Sequence, residues 1–484
     1  MRGGTPLTLL ILTAALAAEP SPDGVHHGEA FETPPHVIAA RDAIDWPAVG
    51  ELTVQLLSDY LQVDTTNPPG NEDRGVAWLA GHLDAVGIPY WTLDHGDGRA
   101  SLFARVESGT DEPPLCLMHH IDVTTYERHA WPEATGPLSG AIVDGEVWGR
   151  GALDMKGMGA LELMTLVLLK KHQIPLARDV VLLAVADEEV ASLGAREMVK
   201  EWGRLGCGQM LNEGGFGVTD ALFEGQAVHA ISSAEKGVLW IRMHADGRAG
   251  HGSTPYPGEA PQRLLEAMEA IEKKVHVKPH IDDSLFELLH AVGEQRGGLT
   301  GTILKSRLLT RLLVKPKLAS VPTTHATMVD TVHLTGMLGA HEPNVVPSRV
   351  SAQYDCRLLP GTTPAEHLAR LEEAVEGIEG ISFEVLIEKE SNGSPTDSAF
   401  FSAIGHYAVE GRPYAAAGPL LAVGFTDSLL VRPLGTEAYG YVPFEIPGEL
   451  LETMHGHGER VPVEQVHEGL KRLFSIVVHS AGRP

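Results

Sequence analysis

Cysteine is almost missing from this chain: its 484 residues include three, Cys116, Cys207 and Cys356. An odd, sparse set is not a disulfide framework. Cys116 and Cys356 sit in apolar or alternating strand-like stretches and read as buried packing residues. Basic residues are also scarce. Lys and Arg total 37 against 64 Asp and Glu, a formal net charge of -27. That balance argues against nucleic acid as a partner, because phosphate backbones reward Lys and Arg. It fits a soluble protein kept apart by self-repulsion. Internal repeats and low-complexity tracts are absent. Beyond the N-terminus no apolar run is long enough for a membrane span, so no stable membrane anchor is expected.

The N-terminus itself resembles a targeting segment. Arg2 precedes the apolar run Leu7 to Ala18, and Ala15-Leu16-Ala17 is a small-x-small cleavage pattern followed by Glu19-Pro20. The pattern predicts a signal peptide over 1–18 and an exported protein, periplasmic or secreted.

At this length two domains are expected. Trp46 to Tyr60 and Val76 to Val86 carry apolar residues at helical spacing, Leu102 to Val106 and Leu115 to Met118 are short apolar runs, and Met155 to Lys171 is a long apolar-rich helix closed by two lysines. Val180 to Ala186 is a continuous apolar run suited to a buried parallel strand. Such alternation predicts an α/β domain, a mostly parallel sheet with helices on both faces. From about Lys236 the pattern changes. Strands are expected at 238–244, 350–358 and 381–388, with a helix from Pro261 to Val275. The expected layout is a catalytic domain over 40–235 and 391–484 and an inserted α+β lid or dimerisation domain over 236–390. Within the insert, His280 to Thr323 is poorly patterned.

The chemistry lies in five segments that flank this insert. They are Met118-His119-His120-Ile121-Asp122, the glycine-rich run 149–157 containing Asp154, Asp187-Glu188-Glu189, Asn212-Glu213-Gly214-Gly215, and His455-Gly456-His457-Gly458-Glu459. Together they supply two imidazoles and three carboxylates for metal and one spare carboxylate, the count a two-zinc hydrolase needs. His120 ends an apolar strand, at the sheet edge where α/β folds bind ligands. Asp122, two residues on, is expected to point the same way and to accept the other N–H of His120. Asp154 is the expected bridging ligand, favoured by a helix N-terminus. Glu188 and Glu189 are adjacent, so one binds metal and the other faces the reacting water. Taken singly, each segment is ordinary: an acidic patch, a loop histidine, a core pair.

These motifs resemble the zinc-dependent family of aminoacylases, carboxypeptidase S, acetylornithine deacetylases and succinyl-diaminopimelate desuccinylases. The similarity runs from about residue 50 to the C-terminus and is strongest over 117–196, including Trp131 and Gly145. The resemblance implies a di-zinc exopeptidase-like fold. It implies that His120, Asp154, Glu189, Glu213 and His455 hold two Zn²⁺ per subunit, with Co²⁺ or Mn²⁺ as substitutes. His455 is the histidine four residues before Glu459, so His457 is an intervening residue. Glu188 becomes the general base, and Asp122 orients His120. In the insert, Gly250-His251-Gly252-Ser253 resembles the motif whose histidine stabilises the oxyanion. Asn344, Arg357 and Arg432 become substrate-binding residues, and a homodimer through the insert is implied.

The reaction expected is hydrolysis of the amide bond of N-acyl amino acids. The neighbouring alternative is a carboxypeptidase or dipeptidase acting on short peptides; a more remote one is a catalytically silent binding protein on the same fold. Ser428-Leu429-Leu430 lacks the polar residues often found after Asp427, which suggests an apolar pocket.

Overall fold

The computed structural model describes residues 32–275, 278–339 and 342–484. The expected signal peptide over 1–18 lies outside them. Among the described residues no helix is long and apolar enough to cross a membrane.

The larger body is built on an eleven-stranded mixed sheet. At its centre Leu115–His120 runs parallel to Val180–Val185 on one side and to Gln209–Asn212 on the other. Both of the first two strands are buried along their whole length, as their unbroken apolar runs require. Alternation sends their side chains to opposite faces. Leu115 and Leu117 pack with Val180, Leu182 and Ala184 in one cluster, while Cys116 and Met118 pack with Val181, Leu183 and Val185 in another.

Helices cover both clusters. Trp46–Leu61, Lys156–Lys171 and Val463–Ala481 lie over the first, and Leu193–Lys200 over the second. Asp45 caps the first of these by accepting the Ala48 N–H. Helix Lys156–Lys171 ends in Lys170 and Lys171, where cations suit the exposed carbonyls.

The reading of Cys116 as a packing residue is corrected. It pairs with Cys207, their Cα atoms 5.8 Å apart. Cys207 precedes the strand Gln209–Asn212, which neighbours the strand of Cys116. The sheet thus joins cysteines 91 positions apart, a pairing local pattern does not reveal. Cys356 is a buried free thiol in the lid core.

The lid sheet has four antiparallel strands in the order Thr331–Leu338, Arg349–Leu358, Gly237–Asp246, Ile381–Lys389. Leu239, Ile241 and Met243 point to one face and pack with Leu264, Ile271 and Leu371 of the helices Ala260–Lys274 and Pro364–Ala374. The expected range 236–390 does not form one body, however. Its poorly patterned stretch folds as helices Asp283–Arg296, Gly298–Lys305 and a helical run over 307–318. Their buried Leu288, Leu289, Val292, Leu304, Val314 and Leu318 pack with Val228 and Ala416 of the large sheet. This helical excursion therefore belongs with the catalytic sheet rather than with the lid. The two crossings between bodies lie side by side, since Ala234 and Glu235 pair with Gly393 and Asn392.

Candidate active site and metal centre

Loops at the ends of three central strands bring three of the five segments to one place; the turn between the small-sheet strand Glu146–Trp148 and helix Lys156–Lys171 brings Asp154, and the turn before strand Arg460–Pro462 brings His455. His120 closes its strand with its ring almost fully buried. Its Nδ1 hydrogen-bonds the main-chain carbonyl of Asp122 at 2.9 Å, which turns Nε2 towards the site. That Nε2 lies 3.0 Å from Asp154 Oδ1 and 3.7 Å from Glu213 Oε1. The other oxygen of Asp154 is 2.9 Å from Nε2 of His455, which is also 3.2 Å from Glu189 Oε2. Asp154 stands between the two imidazoles, one oxygen to each.

Glu459 holds Asp154 in place from behind. Its Oε1 accepts the N–H groups of Gly151, Leu153 and Asp154 at 3.1, 2.8 and 3.1 Å, and Arg150 donates to its Oε2 at 2.7 Å. Gly151 has φ of +93°, and a Cβ there would stand 2.8 Å from Val123 Cγ1, so this turn requires glycine.

The roles expected of Asp122 and of the Glu188-Glu189 pair are corrected in their physical basis. Asp122 lies two residues beyond the end of its strand at His120, so strand alternation does not aim it. Its Oδ1 stays 3.7 Å from His120 Nδ1. Its carboxylate accepts the main-chain N–H groups of Glu188 and Glu189 at 3.1 and 3.2 Å, and Asn67 Nδ2 at 2.9 Å. The two glutamates also lie beyond their strand, after Asp187 at φ +65°. The turn sends Glu189 to His455 and lets Glu188 gather with His120 and Glu213. His119, on the opposite face from His120, bonds the buried Glu162 at 2.7 Å and is a packing residue.

The site is rich in crowded acid. Burial, and then the charge of Glu213, pushes the Glu188 carboxyl well above the usual range. Burial and then Asp154 do the same to Glu213. Burial would also raise Asp154, but hydrogen bonds from His120 and His455 outweigh it and hold this carboxyl far below its ordinary value. Among the described residues, Oε1 of Glu189 is buried with no hydrogen-bond donor. Buried carboxylates that repel one another, with an orphan oxygen among them, need a cation. His120, Asp154 and Glu189 can each place a ligand atom within 4.8 Å of the others, as can His120, Glu188 and Glu213. Imidazole and carboxylate are ligands that a divalent metal such as zinc accepts, so the residues fit a metal.

The other expected site residues belong to neither candidate metal group. His251 is exposed and hydrogen-bonds Ser253 in its own turn, Nδ1 to Oγ at 2.8 Å. Asn344 is exposed beside it on the lid, its carbonyl accepting the Gly252 N–H. Arg432 is corrected outright. It is buried, donates to Glu235 at 2.9 Å and to the Ala438 carbonyl at 3.1 Å, and serves as the counter-ion of that buried carboxylate. Arg357 is gripped by both oxygens of Asp355, at 2.7 and 3.0 Å, and stacks 5.3 Å from the Phe425 ring centre. Its Nη1 is buried with no acceptor among the described residues.

Sequence reasoning missed Asn67, which ties Asp122 to Asp187, both at 2.9 Å. It also missed Lys389, whose Nζ lies 4.7 Å from the same Phe425 ring. Burial lowers the Lys389 amine, while the charges of Asp427, Glu235 and Glu188 pull it up, which sets it beside the acidic centre. Neither residue belongs to a motif with legible spacing.

A cluster of imidazole and carboxylate at the carboxyl edge of parallel strands, with a smaller lid domain, defines a metallo-amidohydrolase acting on amide bonds. Residues 116–479 match the model of Peptidase family M20/M25/M40, and the chain belongs to that family. It is 25% identical over 389 residues to human N-fatty-acyl-amino acid synthase/hydrolase PM20D1, covering 78% of this chain and 76% of that protein. It is 26% identical over 426 residues to mouse Aminoacylase-1, covering 84% and 90%. Among solved structures, the M20 family metallo-carboxypeptidase Sso-CP2 from Sulfolobus solfataricus shares the fold with a TM-score of 0.65, at 16% identity over 88% of this chain and 98% of that one. Human carnosine dipeptidase 1 does so with a TM-score of 0.60, at 15% identity over 92% and 98%.

Proposed function

We propose that this protein hydrolyses the amide bond of N-acyl amino acids at a centre of two divalent metals, zinc foremost. The observation that carries this reading is Asp154, which offers one oxygen towards His120 and the other towards His455. His120, Asp154 and Glu213 would hold one ion, and Asp154, Glu189 and His455 the other. When bound, the metals supply Lewis acidity and a water acidified towards neutrality. Glu188 is the general base: it takes a proton from the attacking water and returns it to the leaving amine. Its burial and its high proton affinity suit both steps. Asp122 positions Glu188 and Glu189 by their main-chain N–H groups. Arg357, with a free Nη1, is the group for the substrate carboxylate.

The acyl-amino-acid reading is favoured over a peptidase by the aminoacylase and N-fatty-acyl-amino acid relatives. His251 enters as an oxyanion donor only if a lid approaches the centre, its own or that of a second copy. A homodimer through the lid is therefore part of the proposal, supported by exposed Met337 and Leu338 on the edge strand. Export is also proposed, supported by the apolar N-terminal run and by a disulfide suited to an oxidising compartment.

The test is a substrate panel on purified protein, stripped with a chelator and restored with Zn²⁺, Co²⁺ or Mn²⁺. Metal-dependent cleavage of N-acyl amino acids in preference to dipeptides is expected. A preference for dipeptides would replace the substrate assignment, and full activity of the stripped protein would overturn the metal centre.

A further inference from the structure

The helical excursion carries an unusual surface. Residues 296–329 contain six Lys or Arg and no Asp or Glu, in a chain whose net charge is -27. The same stretch exposes large apolar side chains: Leu299 at 78%, Leu308 at 65%, Leu312 at 60% and Leu313 at 59%. The helical run over 307–318 explains the arrangement. Thr310, Val314 and Leu318 recur every four residues and are buried, Val314 and Leu318 in the cluster that reaches the large sheet and Thr310 against the carbonyls of Ile303 and Leu304. Leu308 and Leu312, also four apart, lie on the face turned away from them. Arg311 and Lys317 are exposed on this run, and Lys305 on the preceding helix. Arg307 is tied to Asp283 at 2.7 Å.

An exposed leucine cluster of this kind marks an interaction surface. Cations around leucines on a helix match an interface whose outer layer is anionic and whose next layer is hydrocarbon. We propose that the segment 298–318 docks this protein onto an anionic lipid surface, with Leu299, Leu308, Leu312 and Leu313 entering the acyl boundary and Lys305, Arg311 and Lys317 meeting lipid phosphates. A second copy meeting this face with its own is less suited as the occupant, because each copy would bring the same cations. The proposal does not depend on the hydrolytic reading.

The test places a reporter on the surface itself. Thr302→Cys adds a thiol to a chain in which Cys116 and Cys207 are paired and Cys356 is buried. An environment-sensitive fluorophore on that thiol is titrated with vesicles of phosphatidylcholine containing phosphatidylglycerol, and with phosphatidylcholine alone. A blue shift is expected with the anionic vesicles, suppressed by salt. At least tenfold more lipid should be needed when L299Q, L308Q, L312Q and L313Q are combined. Lys305→Glu, Arg311→Glu and Lys317→Glu together keep the leucines and should remove the preference for anionic lipid. Hydrolysis of a soluble short-chain substrate should be unchanged in both combined variants. Absence of any shift overturns the proposal. So does a shift that grows with protein concentration without vesicles, which would make the face a contact between copies.

Discussion

The carboxylate of Asp122 accepts the main-chain N–H of Glu188 at 3.1 Å, and its other oxygen accepts that of Glu189 at 3.2 Å. One buried side chain therefore fixes the turn that carries both the base and a metal-facing carboxylate. Asp122→Ala should lower kcat or metal affinity ten- to a hundredfold, the range typical of groups that support ligands. Activity and bound metal measured on the same preparation check this. Native values for both would show that the turn holds itself.

Glu188→Gln removes the proton acceptor and keeps the shape. Since general base catalysis contributes roughly a hundred- to ten-thousandfold, kcat should fall by that order. Metal content by elemental analysis should stay at the native level, because His120, Asp154, Glu189, Glu213 and His455 are intact. A variant within tenfold of native turnover would remove Glu188 from its role.

The gathering of the candidate ligands was legible because the five segments keep a recognisable order and lie at strand ends or glycine-rich turns. His120 and Asp154 could be placed from burial periodicity and the neighbouring glycines alone. What escaped depends on the sheet and on long-range charge. The Cys116–Cys207 bond joins adjacent strands across 91 residues. Arg432 resembled a substrate anchor until Glu235, brought in from the strand Ala227–Glu235, neutralised it. Helices 283–318 escaped because their surface is partly apolar, which blurs the amphipathic period that marks a helix.

Lys389 and Arg357 flank the Phe425 ring at the edge of the centre, at 4.7 and 5.3 Å. A substrate carboxylate between them would meet two cations. Lys389→Met should raise KM for N-acyl amino acids about tenfold, a loss of about 1.4 kcal/mol, with kcat nearly unchanged. Esters of the same substrates lack the charge and should not distinguish the variant from the native enzyme. An equal loss on acid and ester would show packing rather than charge recognition.

The disulfide closes a long loop through the centre of the sheet. In the chain-entropy account, a loop of this size restricts the unfolded state by an amount worth about 4.6 kcal/mol at most. Denaturant unfolding with and without a reductant should show a lower midpoint when reduced. An unchanged midpoint, with thiol titration proving reduction, would show that packing alone sets stability there.

Arg41 and Glu410 join the first described helix, Pro35–Asp42, to the helix Ala399–Val409. The guanidinium meets both carboxylate oxygens, at 3.1 and 2.6 Å, and Thr33 donates at 2.6 Å. Burial alone would raise the Glu410 pKa. Hydrogen bonds from His406, Arg41 and Thr33, and the Arg41 charge, outweigh it and hold the carboxyl well below the ordinary range. A group depressed in the folded state contributes stability that is fully present above its unfolded pKa, about 4.3, and drains away as pH falls towards the folded value. The difference in melting temperature between the native protein and Glu410→Gln should therefore be largest near neutrality and shrink towards pH 3. Measuring the difference, rather than either protein alone, cancels acid effects at the metal centre that both share. A difference that stays constant, or grows as the pH falls, would show that the ion pair is not what anchors the N-terminal helix.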